Sequence, residues 1–168
     1  MDINAVSLRC FTPQDQENML QLLVSNVNKT YMLPDFACEE DAIPLFRKLH
    51  DLSHDPARYV RCIDLDGTAV GFINDVVTEN GRIELGYVVH PLYHGRGIMT
   101  AALKLALTEV FSKGFATITC GAFEENPASM RVMEKCGMKR VDFTEIIEYR
   151  GKGRLCIYYE ITKEDHHA

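Results

Sequence analysis

Between residues 82 and 111 the spacing of the hydrophobic positions changes. From Arg82 to Val89 apolar and polar positions alternate, which is typical of a β-strand. From Ile98 the apolar residues recur at helical spacing, on a face broad enough to pack against a sheet. Pro91 ends the strand, and Gly114 marks the expected end of the helix. This stretch is therefore predicted to form a strand, a short loop and a long helix.

Turn signals and helix caps divide the rest of the chain. Asp66-Gly67 and Asn80-Gly81 separate apolar runs and predict two hairpins, so the strand at 82–89 joins an antiparallel meander. The next predicted strand, at 116–123, should lie parallel to it because a helix connects the two. Asn126-Pro127 predicts the start of a second late helix. The other predicted elements are strands at 7–11, 59–65, 69–78, 138–147 and 154–162, and helices at 13–25, 39–50 and 128–136.

This element order, β-α-α-β-β-β-α-β-α-β-β, predicts an α+β fold with a mixed, mostly antiparallel central sheet flanked by helices. A loop is expected at 28–37 and a linker at 53–58. The last hairpin should turn at 151–153, and His166 and His167 should belong to a frayed tail. With 168 residues, the chain is predicted to be a single domain spanning 1–168.

The loop from Tyr93 to Thr100 has the composition of an anion site. Gly95 and Gly97 let the backbone turn tightly, and the helix that follows directs its first free N–H groups at the same point. Such a helix start binds phosphate readily, although a plain connecting loop has the same pattern. A Walker loop is excluded because no Gly-Lys-Ser/Thr follows, and Thr100 replaces the third glycine of a dinucleotide fingerprint.

The composition narrows the classes of partner. A net charge of −6 argues against nucleic acid, and no stretch is apolar enough to span a membrane. The six cysteines show no C-x-x-C pair, which is typical of reduced core residues in a cytoplasmic protein. The histidines indicate no metal site, since Pro91 keeps His90 and His94 from sharing a helix face.

The predicted element order and two local sequences together resemble the GNAT superfamily of acyl-CoA-dependent N-acetyltransferases. The loop Tyr93 to Met99 is similar to that family's pyrophosphate signature, usually Gln/Arg-x-x-Gly-x-Gly/Ala. Residues 125–138, ENPASMRVMEKCGM, are similar to the family's Asn-x-x-Ser/Ala helix that ends in a Gly-Phe pair. This helix most resembles the branch that acetylates ribosomal-protein N-termini.

The resemblance implies acetyl-CoA as the acyl-donor cosubstrate. Val88 and Val89 would bind the pantetheine amides through their backbones, and the strand would splay from its parallel neighbour to admit the cofactor. Asn126 and Ser129 would meet the pantetheine arm or the thiol end, and Arg96 would add a counter-charge. The implied pyrophosphate contacts are the backbone N–H groups of His94, Gly95, Arg96, Gly97, Ile98 and Met99, with the side chain of Thr100.

Three positions depart from the family's pattern. His94 stands where Gln or Arg is usual, and Met99 where Gly or Ala is usual. Met133 stands where many members carry a tyrosine that protonates the departing thiolate, and a thioether cannot donate a proton. The alternative donors are Ser129, Tyr158 and Tyr159.

The resemblance implies direct transfer to a primary amine, either a small molecule or a protein N-terminus. Glu84 is the first candidate for the general base, because it lies on the strand face opposite Leu85 and Tyr87. A surface carboxylate at a strand edge is the competing interpretation of Glu84. The other candidate bases are Asp75, Glu124 and Glu145. A catalytically weak CoA-binding sensor or interaction module is the alternative function, and a homodimer is left open.

Overall fold

The computed structural model describes residues 5–29 and 32–167. Its strands are β1 (Val6–Arg9), β2 (Val60–Leu65), β3 (Thr68–Glu79), β4 (Arg82–Val89), β5 (Thr117–Phe123), β6 (Lys139–Tyr149) and β7 (Lys152–Thr162). Its helices are α1 (Gln16–Val24), α2 (Asn26–Lys29), α3 (Glu39–Ser53), α4 (Ile98–Ser112), α5 (Pro127–Lys135) and α6 (Lys163–His167). Short 3₁₀ turns lie at Pro13–Asp15 and Pro91–Tyr93.

The strands form a seven-stranded sheet in the order β1-β2-β3-β4-β5-β7-β6. β4 and β5 are parallel, as expected for two strands that a helix connects. The pairs β1–β2, β2–β3, β5–β7 and β6–β7 are antiparallel. The predicted α+β fold, with a mostly antiparallel sheet flanked by helices, is thus confirmed.

The chain divides into two compact units, to both of which β3, β4 and α4 contribute. The first unit comprises the described residues up to Asn74 together with Tyr87–Leu105. Its core forms where the apolar faces of α1 and α3 meet β2 and β3, which removes these side chains from water. The second unit comprises Asp75–Gly86 and the described residues from Ala106 onward, including the β6–β7 hairpin.

A charged network joins β1 to β2 within the first unit. The Arg9 guanidinium donates to both carboxylate oxygens of Asp15, at 2.7 and 2.9 Å, and through Nε to Asp64 at 2.8 Å. Asp64 in turn accepts from the backbone N–H of Gly67 at 2.9 Å, in the β2–β3 turn. Both carboxylates are buried, so Arg9 supplies the counter-charge that compensates their burial.

Several predicted boundaries differ from the structure. Helix α3 extends past His50 because the Ser53 hydroxyl donates to the His50 carbonyl at 2.7 Å and accepts from the Phe11 N–H at 2.9 Å. Helix α2 includes residues 28 and 29 of the predicted loop. The remainder of that loop includes residues 30 and 31, which lie outside the described residues.

The end of the chain also differs from its prediction. The last hairpin turns at Arg150-Gly151 instead of 151–153, and positive φ angles of 53° and 72° give the two-residue turn that twisted strands favour. The expected frayed tail contains helix α6, where the Asp165 N–H donates to the Thr162 hydroxyl. His166 stacks on Phe111 with ring centroids 5.1 Å apart. None of the helices described here is long and apolar enough to cross a membrane.

Candidate active site

The loop before α4 has the geometry of an anion cradle. Gly95 and Gly97 both have positive φ angles, 72° and 77°, which only glycine adopts at little cost. The Gly97 carbonyl accepts from the Ala101 N–H at 3.0 Å, so Gly97 is the cap residue of a 15-residue helix. The N–H groups of its first turn have no acceptor in a preceding turn, and they carry the positive end of the helix dipole. The loop is exposed, and these features fit a pyrophosphate.

Two side chains brace this loop. The His94 Nε2 lies 2.8 Å from the Val89 carbonyl, so this nitrogen carries the proton and ties the loop back to the end of β4. Arg96 lies over the Tyr93 ring, with its guanidinium carbon 5.6 Å from the centroid. His94, which stands where Gln or Arg is usual, therefore has a structural role: its ring fixes the connection between β4 and the loop.

The backbone of Val88 and Val89 lies close to β3. A Cβ atom added at Gly71 would lie 2.3 Å from the Val88 carbonyl oxygen and 3.1 Å from the Val89 Cα. The His90 N–H donates to the Val70 carbonyl at 2.7 Å, which fixes the same segment one residue later. Gly71 is therefore required for the close approach that sets the path of this strand end.

Replacing Gly71 by alanine is expected to destabilise the protein by about 2 kcal/mol, because only backbone atoms could yield to the added methyl group. The shift of Val88 and Val89 should also weaken CoA binding. Gly67→Ala is the control, since Gly67 has a positive φ but open space around it, and CoA affinity should then be unchanged. Urea unfolding and calorimetry with CoA measure the two effects. Equal CoA affinity in the two variants would contradict the expectation.

In the second unit, strand register places residues of β4, β5, β6 and β7 on one face of the sheet. Glu84 pairs with Thr119, Gly121 pairs with Tyr158, and Cys156 pairs with Glu145. Directly paired residues share a face, and so do alternate residues along a strand. We call this surface the Glu84 face. It comprises Glu84, Thr119, Gly121, Tyr158, Cys156 and Glu145.

Glu84 is half-buried on this face, while its strand neighbours Ile83 and Leu85 are buried on the other side. Burial raises the pKa of the Glu84 carboxyl, and the charge of Glu145 raises it further. A carboxylate with a raised pKa is a better proton acceptor than an ordinary surface glutamate. The parallel register of β4 with β5 comprises three pairs and ends at Glu84–Thr119.

The two tyrosines of β7 have different surroundings. Tyr159 points away from the Glu84 face, and its hydroxyl donates to Glu134 Oε1 at 3.0 Å. The Tyr158 ring lies on Gly121, where an added Cβ would meet its Cε1 at 2.7 Å. Burial raises the pKa of Tyr158, and the hydrogen bonds and charges of Cys156, Glu84 and Glu145 raise it further. The Tyr158 hydroxyl is therefore a weaker acid than an ordinary tyrosine.

Helix α5 carries the second predicted group of site residues. The Asn126 side-chain oxygen accepts from the Ser129 N–H at 3.2 Å, so Asn126 caps the helix as predicted. Ser129 is half-buried in the first turn, and Met133 is fully buried one turn further on. Of the other candidate bases, Asp75 is buried in β3 and Glu124 is exposed after β5.

Sequence reasoning missed Gly121 and Arg154 as parts of this site. An isolated glycine inside a strand pattern signals close approach by another group, and Gly121 gave that signal. Arg154 gave none, because its partners on β5 and β6 are known only once the strands are paired. Across residues 5–29 and 32–167, no three His, Cys, Asp or Glu side chains are arranged to hold a metal ion.

The family model for the GNAT acetyltransferase domain matches residues 6–139. The chain therefore belongs to the GNAT acetyltransferase family.

Solved structures of this family have the same fold. An acetyltransferase of the GNAT family from Bacillus anthracis has a TM-score of 0.83 and 23% identity, over 95% of this chain and 96% of its own. Spermidine N-acetyltransferase from Vibrio cholerae, bound to CoA and spermine, has a TM-score of 0.82 and 17% identity, over 98% and 99%. RimL, a ribosomal L7/L12 α-N-protein acetyltransferase bound to coenzyme A, has a TM-score of 0.79 and 18% identity, over 94% of each chain. No curated protein sequence gives a significant match.

Proposed function

We propose that this protein transfers the acetyl group of acetyl-CoA to a primary amine, by direct attack of the amine in a ternary complex. The observation that carries the proposal is the half-buried Glu84, whose raised pKa makes it a proton acceptor on an open sheet face. The family supports the acetyl donor, and neighbours that acetylate spermidine and a ribosomal protein support an amine acceptor.

The glycine loop and the end of β4 would bind the donor. Backbone N–H groups from His94 to Met99, with the Thr100 side chain and Arg96, would bind the pyrophosphate. The backbones of Val88 and Val89 would bind the pantetheine amides, and a backbone N–H near Val89 would polarise the acetyl carbonyl. Acetyl-CoA supplies the activated thioester.

Glu84 and residues of helix α5 would transfer protons and position the reactants. Glu84 would accept, through a water molecule, the proton that the amine loses when its nitrogen bonds to the acetyl carbon. Asn126 would help to position the pantetheine arm. Ser129 would lie at the thiol end and donate a hydrogen bond to the departing sulfur, since the Met133 thioether has no proton to donate.

The pKa of the acceptor amine determines how much a general base contributes to the rate. An α-amino group with a pKa near 8 is partly neutral at pH 7, whereas a lysine amine with a pKa near 10.4 requires roughly 4 to 5 kcal/mol for deprotonation. A peptide N-terminus or a small amine of similar basicity therefore suits a single half-buried carboxylate best.

Incubation with acetyl-CoA and a panel of small amines and N-terminal peptides tests the proposal. Thiol release that depends on the acceptor, together with an acetylated product by mass spectrometry, is the expected result. Thioester hydrolysis alone, with no acetylated amine in the panel, would refute it.

A catalytically weak CoA sensor is the second candidate function. The fully buried Met133 favours it, because the usual tyrosine donor is missing there. This candidate predicts tight CoA binding without acetylation of any amine. If ATP competed with CoA, a nucleotide site at the glycine loop would replace both candidates.

A further inference from the structure

Arg154 lies against two adjacent aromatic rings in the second unit. Its guanidinium carbon lies 5.6 Å from the Phe123 centroid and 5.5 Å from the Tyr149 centroid. The two ring centroids are 5.4 Å apart, and the Phe123 ring is almost fully buried. This stacking fixes the plane of the guanidinium in advance of any ligand.

The side chain of Arg154 has no carboxylate partner among the described residues. Its Nε is buried without a hydrogen-bond partner, and no ion pair joins Arg154 to another described residue. Arg9 and Arg82, by contrast, each bind a carboxylate. A guanidinium that meets no carboxylate among the described residues can bind one that comes from outside the chain.

Strand register relates Arg154 to the Glu84 face. Arg154 lies two residues from Cys156 on β7, so it shares that face with Tyr158 and Glu84. Phe123, on which it stacks, is four residues beyond Thr119, the partner of Glu84. Four residues of strand span ~13 Å. The guanidinium therefore lies on the same face as the candidate base, at the distance of a short extended peptide.

We propose that Arg154 binds a carboxylate carried by the acceptor, so that the preferred acceptor is a peptide N-terminus with an acidic group three or four residues along. This inference rests on the proposed function, because it places the acceptor amine at Glu84. An extended peptide advances by ~3.3 Å per residue, which matches the separation along β5. The planar donor fork of arginine suits a carboxylate, whereas an ammonium would be repelled.

Matched peptide acceptors test the proposal by kinetics. Ser-Ala-Ala-Glu amide is expected to have a KM about tenfold lower than Ser-Ala-Ala-Gln amide, as a charge-assisted hydrogen bond allows. Ser-Ala-Ala with a free terminal carboxylate, compared with its amide, shows whether a main-chain carboxylate serves equally well. A KM that is the same for all four peptides would overturn the proposal.

Two arginine variants make the test specific. Arg154→Gln should remove the preference for the acidic peptide, so that the KM of Ser-Ala-Ala-Glu amide rises about tenfold, to that of Ser-Ala-Ala-Gln amide. Arg150→Gln is the matched control, because Arg150 lies over the same Tyr149 ring at 5.4 Å but sits in the exposed turn. An equal loss of preference in both variants would mean that bulk positive charge is responsible, and the assignment to Arg154 would fail.

A binding measurement separates this inference from the proposed function. The Nε–H resonance of Arg154, assigned by its absence in Arg154→Gln, should shift when unlabelled Ser-Ala-Ala-Glu amide is added to the ¹⁵N-labelled protein with CoA. The glutamine peptide should leave it in place. If no amine is acetylated but this shift occurs, the proposed function fails and the carboxylate site stands. If acetylation occurs and the resonance does not respond to the acidic peptide, the carboxylate site is wrong.

Discussion

Replacement of Glu84 by glutamine is expected to lower kcat/KM about 100-fold, because a positioned general base contributes about 10²–10⁴-fold to such reactions. The amide keeps the size of the side chain on the Glu84 face but cannot accept a proton. Initial rates of thiol release with the best acceptor of the panel measure the effect. Glu145→Gln is the informative comparison, since Glu145 lies on the same face and is exposed. A larger loss in Glu145→Gln would transfer the role of base to Glu145.

The pH dependence gives an independent check on Glu84. Burial and the charge of Glu145 raise the pKa of Glu84 above its ordinary value of 4.5. The base must be ionised, so kcat/KM should fall as the pH drops through this raised pKa. Removing the repulsion in Glu145→Gln should move the acidic limb to lower pH. An acidic limb that stays in place in Glu145→Gln would contradict the coupling.

Measuring the stability of Glu84→Gln shows whether a loss of activity in this variant reflects lost catalysis or lost folding. A carboxyl with a raised pKa favours its protonated form in the folded state. Its contribution to stability is therefore complete below the unfolded pKa and is lost as the pH rises through the folded pKa. Glu84→Gln, which is neutral at every pH, should be at least as stable as the wild type near pH 7. If Glu84→Gln unfolded more easily than the wild type, its lower activity could result from unfolding and would not identify Glu84 as the base.

Local signals in the sequence were sufficient for most of the fold. Asp66-Gly67 and Asn80-Gly81 adopt the positive φ angles of two-residue hairpin turns, and β4 has the predicted bounds Arg82–Val89. Asn126 caps α5 in the way its residue type suggests. The last hairpin was harder, because Gly151 and Gly153 offered competing turn positions. The turn lies at Arg150-Gly151 because Arg150 adopts a positive φ, and an arginine does not indicate this conformation in the sequence.

The acceptor side of the site depends on contacts between distant parts of the sequence. Glu84 and the glycine loop were visible because each lies within one continuous motif. Tyr158 reaches the same face as Glu84 only through the register of β4, β5 and β7, and its ring fits only because residue 121 is glycine. Periodicity assigns a residue to a side of its strand, but it does not say which strands are neighbours.

Replacement of Arg9 by methionine is expected to reduce the free energy of unfolding by about 3 kcal/mol, because removing one partner leaves buried charge uncompensated. Asp15 and Asp64 would both lose their counter-charge, and their side chains are only 7% and 10% exposed. Urea unfolding near pH 7 measures the loss. Arg82→Ala is the control, because Arg82 pairs with Glu160 but is 54% exposed, and an exposed pair contributes at most about 1 kcal/mol. Similar losses in the two variants would show that burial adds nothing to the Arg9 network.

The defect of Arg9→Met should shrink in acid. Burial alone would raise the pKa of Asp15, but its hydrogen bonds with Arg9 and Thr12 and the charge of Arg9 bring the pKa below its ordinary value of 3.8. Stability from such a group is present above the unfolded pKa and is lost as the pH falls through the folded pKa. In the variant the buried Asp15 carboxylate lacks its counter-charge, so its protonation relieves the cost. Unfolding free energies of the two proteins should therefore converge between neutral pH and about pH 4, near the ordinary pKa of aspartate. Parallel curves over this range would mean that Arg9 stabilises the fold by packing and not by its charge.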